Sequence, residues 1–256
     1  MSSPSILVNR DAEGLAHAVA ARLITRLVDV QSSGKVAQVV LTGGRVAAVV
    51  YRAVAESPAR SAIDWRRVEF WWGDERFLPE GDPERNETQA WDALLSHVDV
   101  DPALVHPMPA DTGQGPEAAA DEYAATLAAA AGPGDRDGVP TFDVLMLGVG
   151  PDGHVASLFP EHPTLHEVER SSVAVHGAPK PPPTRISLSF PALNRAHEAW
   201  FAVAGDDKAK AVRLALSGTG PLQIPAAGVK GLNRTLWLLD EAAATDIPHE
   251  IRAPRT

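Results

Sequence analysis

The side chains best able to do chemistry fall in short polar stretches, each placed beside an apolar run. Gly148-Val-Gly-Pro-Asp-Gly-His154 follows the run 142–147 and sets His154 two residues after Asp152 in a glycine-bounded loop. An unperturbed imidazole titrates at about pH 6.5, so it can take a proton from water near neutrality. The plainer alternative is a histidine at a helix start, bonded to backbone. Thr42-Gly43-Gly44 follows the run 36–41. Glycines there let backbone N–H groups approach an anion, a helix N-terminus favours negative charge, and the Thr42 hydroxyl can donate. The plainer alternative is a tight strand-to-helix turn.

Three further groups extend this chemistry. Asp74-Glu75-Arg76 places two acids and a base in an expected strand-end loop. Asp74 could hold hydroxyls and Arg76 could face an anion or a developing oxyanion, or the three could form an ion-pair cluster. Asn86-Glu87 is a candidate support for that loop. Arg185 follows a run with four prolines in the five residues 179–183, a rigid approach that could aim a guanidinium at a phosphate. Lys208 is expected in the first turn of a helix, where a cation opposes the macrodipole unless an anion lies between them. A lysine paired with Asp206 or Asp207 is the alternative.

Other candidates are weaker. Gly148-x-Gly150-x-x-Gly153 matches the dinucleotide fingerprint, but Asp152 would face the pyrophosphate and Val173 stands where a ribose-binding acid belongs. Ser157 has no Gly-x-Ser-x-Gly elbow and reads as a packing or helix-start residue. His162 and His166 have metal-ligand spacing, but Pro163 interrupts them. No metal and no cofactor are expected.

These loops need a scaffold. Leu15, Val19, Leu23 and Leu27 recur every four residues behind a possible Asp11 cap, predicting a helix to about residue 30. Further helices are predicted over 46–55 and 88–98, from Pro116 to Gly132, and from Asp206 to Gly218. Strands are predicted at 6–8, 36–41, 68–72, 142–147, 186–190, 199–204 and 235–239. Strands apolar throughout and alternating with helices argue an α/β fold with a mostly parallel sheet. Ligands bind such sheets at the carboxyl ends of strands, where four of the polar loops would then lie.

Composition narrows the class. The chain has 256 residues, 45% hydrophobic and 22% charged, with a net charge of −10 and no cysteine. Disulfide frameworks, thiolate metal sites and cysteine nucleophiles are excluded. The charge argues against nonspecific binding to nucleic acid or anionic membrane, though not against a local basic pocket. No stretch approaches the about 20 apolar residues of a membrane span, and residues 1–8 lack a signal peptide's basic start. A cytoplasmic protein is the expectation.

The set Leu41-Thr-Gly-Gly44, Trp71-Trp-Gly-Asp-Glu-Arg76, Leu147-Gly-Val-Gly-Pro-Asp-Gly-His-Val-Ala-Ser-Leu-Phe-Pro160, Arg185-Ile-Ser-Leu188 and Gly205-Asp-Asp-Lys-Ala209 resembles the 6-phosphogluconolactonase family. The form is the one related to glucosamine-6-phosphate deaminase, not the β-propeller form. The resemblance implies a modified Rossmann-like, doubly wound, mostly parallel sheet with helices on both faces, in a single domain over 1–256. It implies hydrolysis of 6-phospho-glucono-1,5-lactone to 6-phosphogluconate in the oxidative pentose phosphate pathway. Separately, a monomer or weak oligomer is expected. His154 would be the general base, supported by Asp152. Thr42, Gly43, Gly44, Arg185 and Lys208 would hold the phosphate, with Asp74 and Arg76 near the ring and C1. The family often has a small residue and then Pro or Gly after Gly-Gly, where this chain has Arg45-Val46; Arg45 either adds to the phosphate site or points away. The related deaminases continue from Asp-Gly-His to a Glu that assists ring opening. Val155-Ala-Ser-Leu-Phe-Pro160 has no carboxylate, which favours lactone hydrolysis. A deaminase or isomerase, and a noncatalytic sugar-phosphate sensor, are the rival readings.

Overall fold

A computed structural model describes residues 3–252. Six strands form one parallel sheet: β1 (Ser5–Asn9), β2 (Ala37–Leu41), β3 (Val68–Trp72), and further along the chain Phe142–Leu147, Ala196–Val203 and Arg234–Asp240. Between β3 and the Phe142 strand lies the short β4 (Asp74–Arg76), so the Phe142 strand is β5. Then follow β6 (Ser172–Val175), β7 (Arg185–Leu188), β8 (Ala196–Val203) and β9 (Arg234–Asp240). The main sheet runs β1-β9-β8-β5-β2-β3. Its inner strands are buried because their side chains are apolar on both faces; all of Val39, Val40 and Leu41 are fully covered, as are Val144, Leu145 and Leu147.

The strand order explains where the site must be. From β2 the chain moves outward to β3, then returns to β5 on the other side of β2 and continues outward to β8 and β9. Winding therefore reverses between β2 and β5. Right-handed crossovers on the two sides of a reversal put their helices on opposite faces, and the diverging loops open a crevice at the carboxyl ends. This is a Rossmann-like α/β fold.

The helices are α1 (Ala12–Ser32), α2 (Arg45–Glu56), α3 (Asn86–Ala93), α4 (Pro116–Ala130), α5 (Phe190–Leu193), α6 (Ala209–Leu216) and α7 (His249–Arg252). Asp11 caps α1 by accepting from the Gly14 N–H at 2.8 Å, and Leu15, Val19, Leu23 and Leu27 are buried along one face. Pro116 opens α4 at its first turn, where its missing N–H costs nothing. Among the described residues no helix is long and apolar enough to cross a membrane.

Several boundaries differ from expectation. The predicted helix 88–98 is α3 followed by a 3-10 turn at Leu95–His97, because Leu94 leaves helical backbone. The strand beginning at Arg185 stops at Leu188, since Ser189 is already the N-cap of α5, whose first turn holds Pro191. Asp74-Glu75-Arg76 is not a loop. Gly73 ties its N–H to the Leu41 carbonyl and its carbonyl to the Leu188 N–H, and there the chain leaves the main sheet. β4 then pairs antiparallel with β7, and β7 with β6, in a second sheet that sequence did not reveal.

Candidate active site

A cavity of about 280 Å³ opens at the carboxyl ends of β2, β5 and β8. Eight of the nine predicted site residues line it: Thr42, Gly43, Gly44, Asp74, Arg76, His154, Arg185 and Lys208. The ninth, Asp152, reaches it through His154.

The loop after β5 shapes the imidazole end. The Gly150 N–H donates to the His154 carbonyl at 2.9 Å and the Gly153 N–H to the Gly150 carbonyl at 2.9 Å, closing a tight turn. A Cβ on Gly150 would lie 2.0 Å from His154 Nδ1, so only glycine lets the ring fold back over its own loop. His154 Nδ1 meets Asp152 Oδ1 at 2.5 Å. Burial pushes the Asp152 carboxyl up, but the hydrogen bond and charge of His154 outweigh it and hold it down at about 2. An ionised carboxylate only accepts, so the ring nitrogen that faces it, Nδ1, is the donor, and Nε2 is the nitrogen not bonded to Asp152. The His154 ring rests against Phe159, centroids 4.6 Å apart. No helix starts directly at Gly153, the next helical turn being the 3-10 turn Pro163–His166, so the glycine spacing lacks the helix terminus that a dinucleotide site needs.

Cations dominate the rest. Arg45, Arg76, Lys180, Arg185 and Lys208 line the cavity against the single carboxylate Asp74, although the whole chain is at −10. The β4–β7 register sets Arg76 directly opposite Arg185. Like charges so paired repel, and burial holds the Arg185 guanidinium below its usual range, with Arg76 adding to the effect. Arg185 is buried and donates to the carbonyls of Lys180, Pro181 and Pro182 at 3.1–3.2 Å, so the proline run orients it. Arg76 donates to the Glu84 carbonyl. Lys208 pairs with Asp207 at 2.9 Å and also lines the cavity. It stands in a 3-10 turn, Asp206–Lys208, immediately before α6 rather than inside a longer helix. Tyr51 takes both main-chain groups of Thr42, at 2.9 and 2.7 Å, which leaves the Thr42 hydroxyl and the following N–H groups at the head of α2 for an anion.

Sequence reading missed Lys180, whose amine is held below its usual range by burial and by the neighbouring cations Lys208 and Arg185, against the pull of Asp152. Its only signal was a lysine inside a proline run. Of the two readings of Ser157, packing holds and a helix start does not, since it lies on no helix. Ser157 is fully buried; its Oγ donates to Asp74 Oδ2 at 2.7 Å and its N–H to Ser187 Oγ at 3.2 Å. His162 is engaged with Thr164 and the His176 carbonyl. Among the described residues no group of three or more His, Asp or Glu could hold a metal ion.

The family model for glucosamine-6-phosphate isomerases and 6-phosphogluconolactonases matches residues 10–237. The 6-phosphogluconolactonase of Streptomyces coelicolor is 58% identical over 255 residues, covering 98% of each chain. That of Mycobacterium tuberculosis is 45% identical over 249 residues, covering 96% of this chain and 99% of the other. The crystal structure of 6-phosphogluconolactonase from Thermotoga maritima superposes with a TM-score of 0.81 at 27% identity, covering 93% of this chain and all of that one. With the family model spanning residues 10–237 and a relative 58% identical over nearly the full chain, the chain belongs to the glucosamine-6-phosphate isomerase/6-phosphogluconolactonase family.

Proposed function

We propose that the protein opens 6-phospho-glucono-1,5-lactone to 6-phosphogluconate by general-base activation of water. The near full-length relatives of that name support the reaction. The observation that carries the mechanism is one cavity with a proton acceptor at one end and a cationic cradle at the other. The phosphate sits against the N–H groups at the head of α2, the Thr42 hydroxyl, Arg185 and Lys208, where helix polarity and cations add. That grip orients C1 toward His154. Asp74 accepts from ring hydroxyls. His154 Nε2 takes a proton from the water as its oxygen bonds to C1, and Asp152 steadies the imidazolium. Arg76 faces the oxyanion of the tetrahedral intermediate. As the bond from C1 to the ring oxygen breaks, the imidazolium returns its proton to that oxygen, and the acid is released.

Deamination is disfavoured by the residues after His154. No carboxylate occurs before Glu161, and Ser157 is turned onto Asp74. The direct experiment follows acid formation from freshly made lactone, corrected for spontaneous opening, with wild type beside His154→Ala. Acceleration by wild type and its loss in the variant are expected. No acceleration by wild type overturns the reaction, and full activity in the variant overturns the role of His154.

A further inference from the structure

The mechanism leaves unused a fully buried acid that lies between two of its groups in sequence. Side chains alternate along a strand. Asp74 and Arg76 of β4 face the cavity, so Glu75 points the other way, into the protein, where it is 0% exposed. Its Oε1 accepts from the N–H groups of Arg76 at 2.8 Å and Asn86 at 2.6 Å, and its Oε2 from Glu87 at 2.9 Å. The equally buried Arg85 lies 3.8 Å from Oε2. Asn86 and Glu87 begin α3, whose own preceding residue offers no side-chain cap. Glu75 therefore caps that helix from another element and satisfies two N–H groups that the helix leaves orphaned.

What the cap holds is informative. From the first helical position, Asn86 Nδ2 donates to the Asp74 carbonyl at 2.8 Å and to Asp74 Oδ1 at 3.2 Å. Its other face meets the anion loop: a Cβ on Gly43 would lie 1.8 Å from Asn86 Oδ1. One side chain thus touches both the carboxylate at the ring end and the glycine loop at the phosphate end. With Ser157 fixing Oδ2 from the opposite side, Asp74 has no freedom of its own.

We infer that Glu75 is a positioning residue for lactone opening, which acts through Asn86 to fix the separation between Asp74 and the Gly43 loop. The inference rests on the proposed reaction. A misplacement near 1 Å costs about 100-fold in rate, so Glu75→Gln is expected to lower kcat about 10- to 100-fold with KM changed by less than about 3-fold. A fold defect alone would lower the active fraction, which also lowers apparent kcat and leaves KM unchanged, so kcat is taken per folded molecule, with the folded fraction at the assay temperature measured by thermal unfolding. Asn86→Ala should cost at least as much. The double variant should be no worse than Asn86→Ala within about 2-fold, since two residues acting in series are not additive. If Glu75→Gln does not fold, Glu75→Asp, which keeps the charge but shortens the reach, is read the same way. Gly43→Ala supplies an independent arm: it should weaken binding of 6-phosphogluconate, and adding Asn86→Ala should restore part of the loss.

Unchanged kcat in the folded Glu75 variant, additive losses in the double variant, or no restoration in the Gly43 arm would overturn the inference while leaving the reaction standing. A wild-type protein that does not accelerate lactone opening would overturn both.

Discussion

Asp152 with His154, and Glu75 with Arg85, are two acid–base pairs serving one cavity, and they differ chiefly in their access to water. Asp152 is 34% exposed and His154 15%, while Glu75 and Arg85 are 0% and 1%. In the first pair the hydrogen bond and charge of His154 overcome burial and hold the carboxyl at about 2. In the second, burial dominates and pushes Glu75 up to about 7, against Arg85 and three N–H donors. A carboxylate still touching water can spend its charge on one neighbour's proton. A carboxylate taken wholly out of water must be satisfied from several sides, and those several bonds make it a strut. Chemistry is served by the first arrangement and geometry by the second.

Breaking the first pair should have the larger effect. His154→Ala removes the proposed base and is expected to lower kcat by about 10²–10⁴-fold, with affinity for 6-phosphogluconate retained; equal loss of both would remove His154 from the proton transfer. Asp152→Asn should cost about 10²-fold in kcat, because an amide can donate to Nδ1 and turn the free lone pair away from the water. Steady-state kinetics on fresh lactone checks both. An Asp152→Asn variant with wild-type kcat would reduce that carboxylate to a structural role.

The two pairs were not equally legible. His154, Asp152 and their glycines form one continuous string, and the apolar run before it marks a strand end, so local spacing carries the chemistry. Parallel strands likewise announce themselves by being apolar throughout. The second pair depends on partners far apart. Glu75 and Asn86 are 11 residues apart in sequence, and β4 is only three residues long, too short for alternation to show against its polar composition. The small sheet was hidden for the same reason: β6 has four residues and meets β7 across the proline run. Ser157 was ambiguous because its role is set by Asp74, 83 residues earlier.

The cationic end separates binding from turnover. Lys208 spends part of its charge on Asp207 at 2.9 Å, so its removal should be milder than removal of the base. Lys208→Ala is expected to weaken 6-phosphogluconate about 10-fold, near 1.4 kcal/mol, and to leave opening of the unphosphorylated lactone unchanged. Isothermal titration and a parallel assay on both lactones test this. Equal losses on the two substrates would mean that Lys208 does not read the phosphate.

The smallest effect distinguishes the pairs by the sign of their pH response. An exposed Glu titrates at about 4.3, whereas burial raises Glu75 to about 7. Between these values the native protein keeps a proton that the unfolded chain has released. Stability from this group is therefore fully present below the lower value and lost as pH rises through the upper one. Asp152 runs the other way: its contribution is present above the ordinary Asp value of about 3.9 and is lost as pH falls through about 2. Thermal unfolding of wild type and Glu75→Gln from pH 4.5 to 7.5 should show wild type losing ground to the variant as pH rises, by on the order of a few degrees in Tm. Below pH 4, wild type should instead lose its advantage over Asp152→Asn. Parallel curves for wild type and Glu75→Gln would show that Glu75 titrates as though exposed, and the contrast between strut and proton partner would then have no basis in water access.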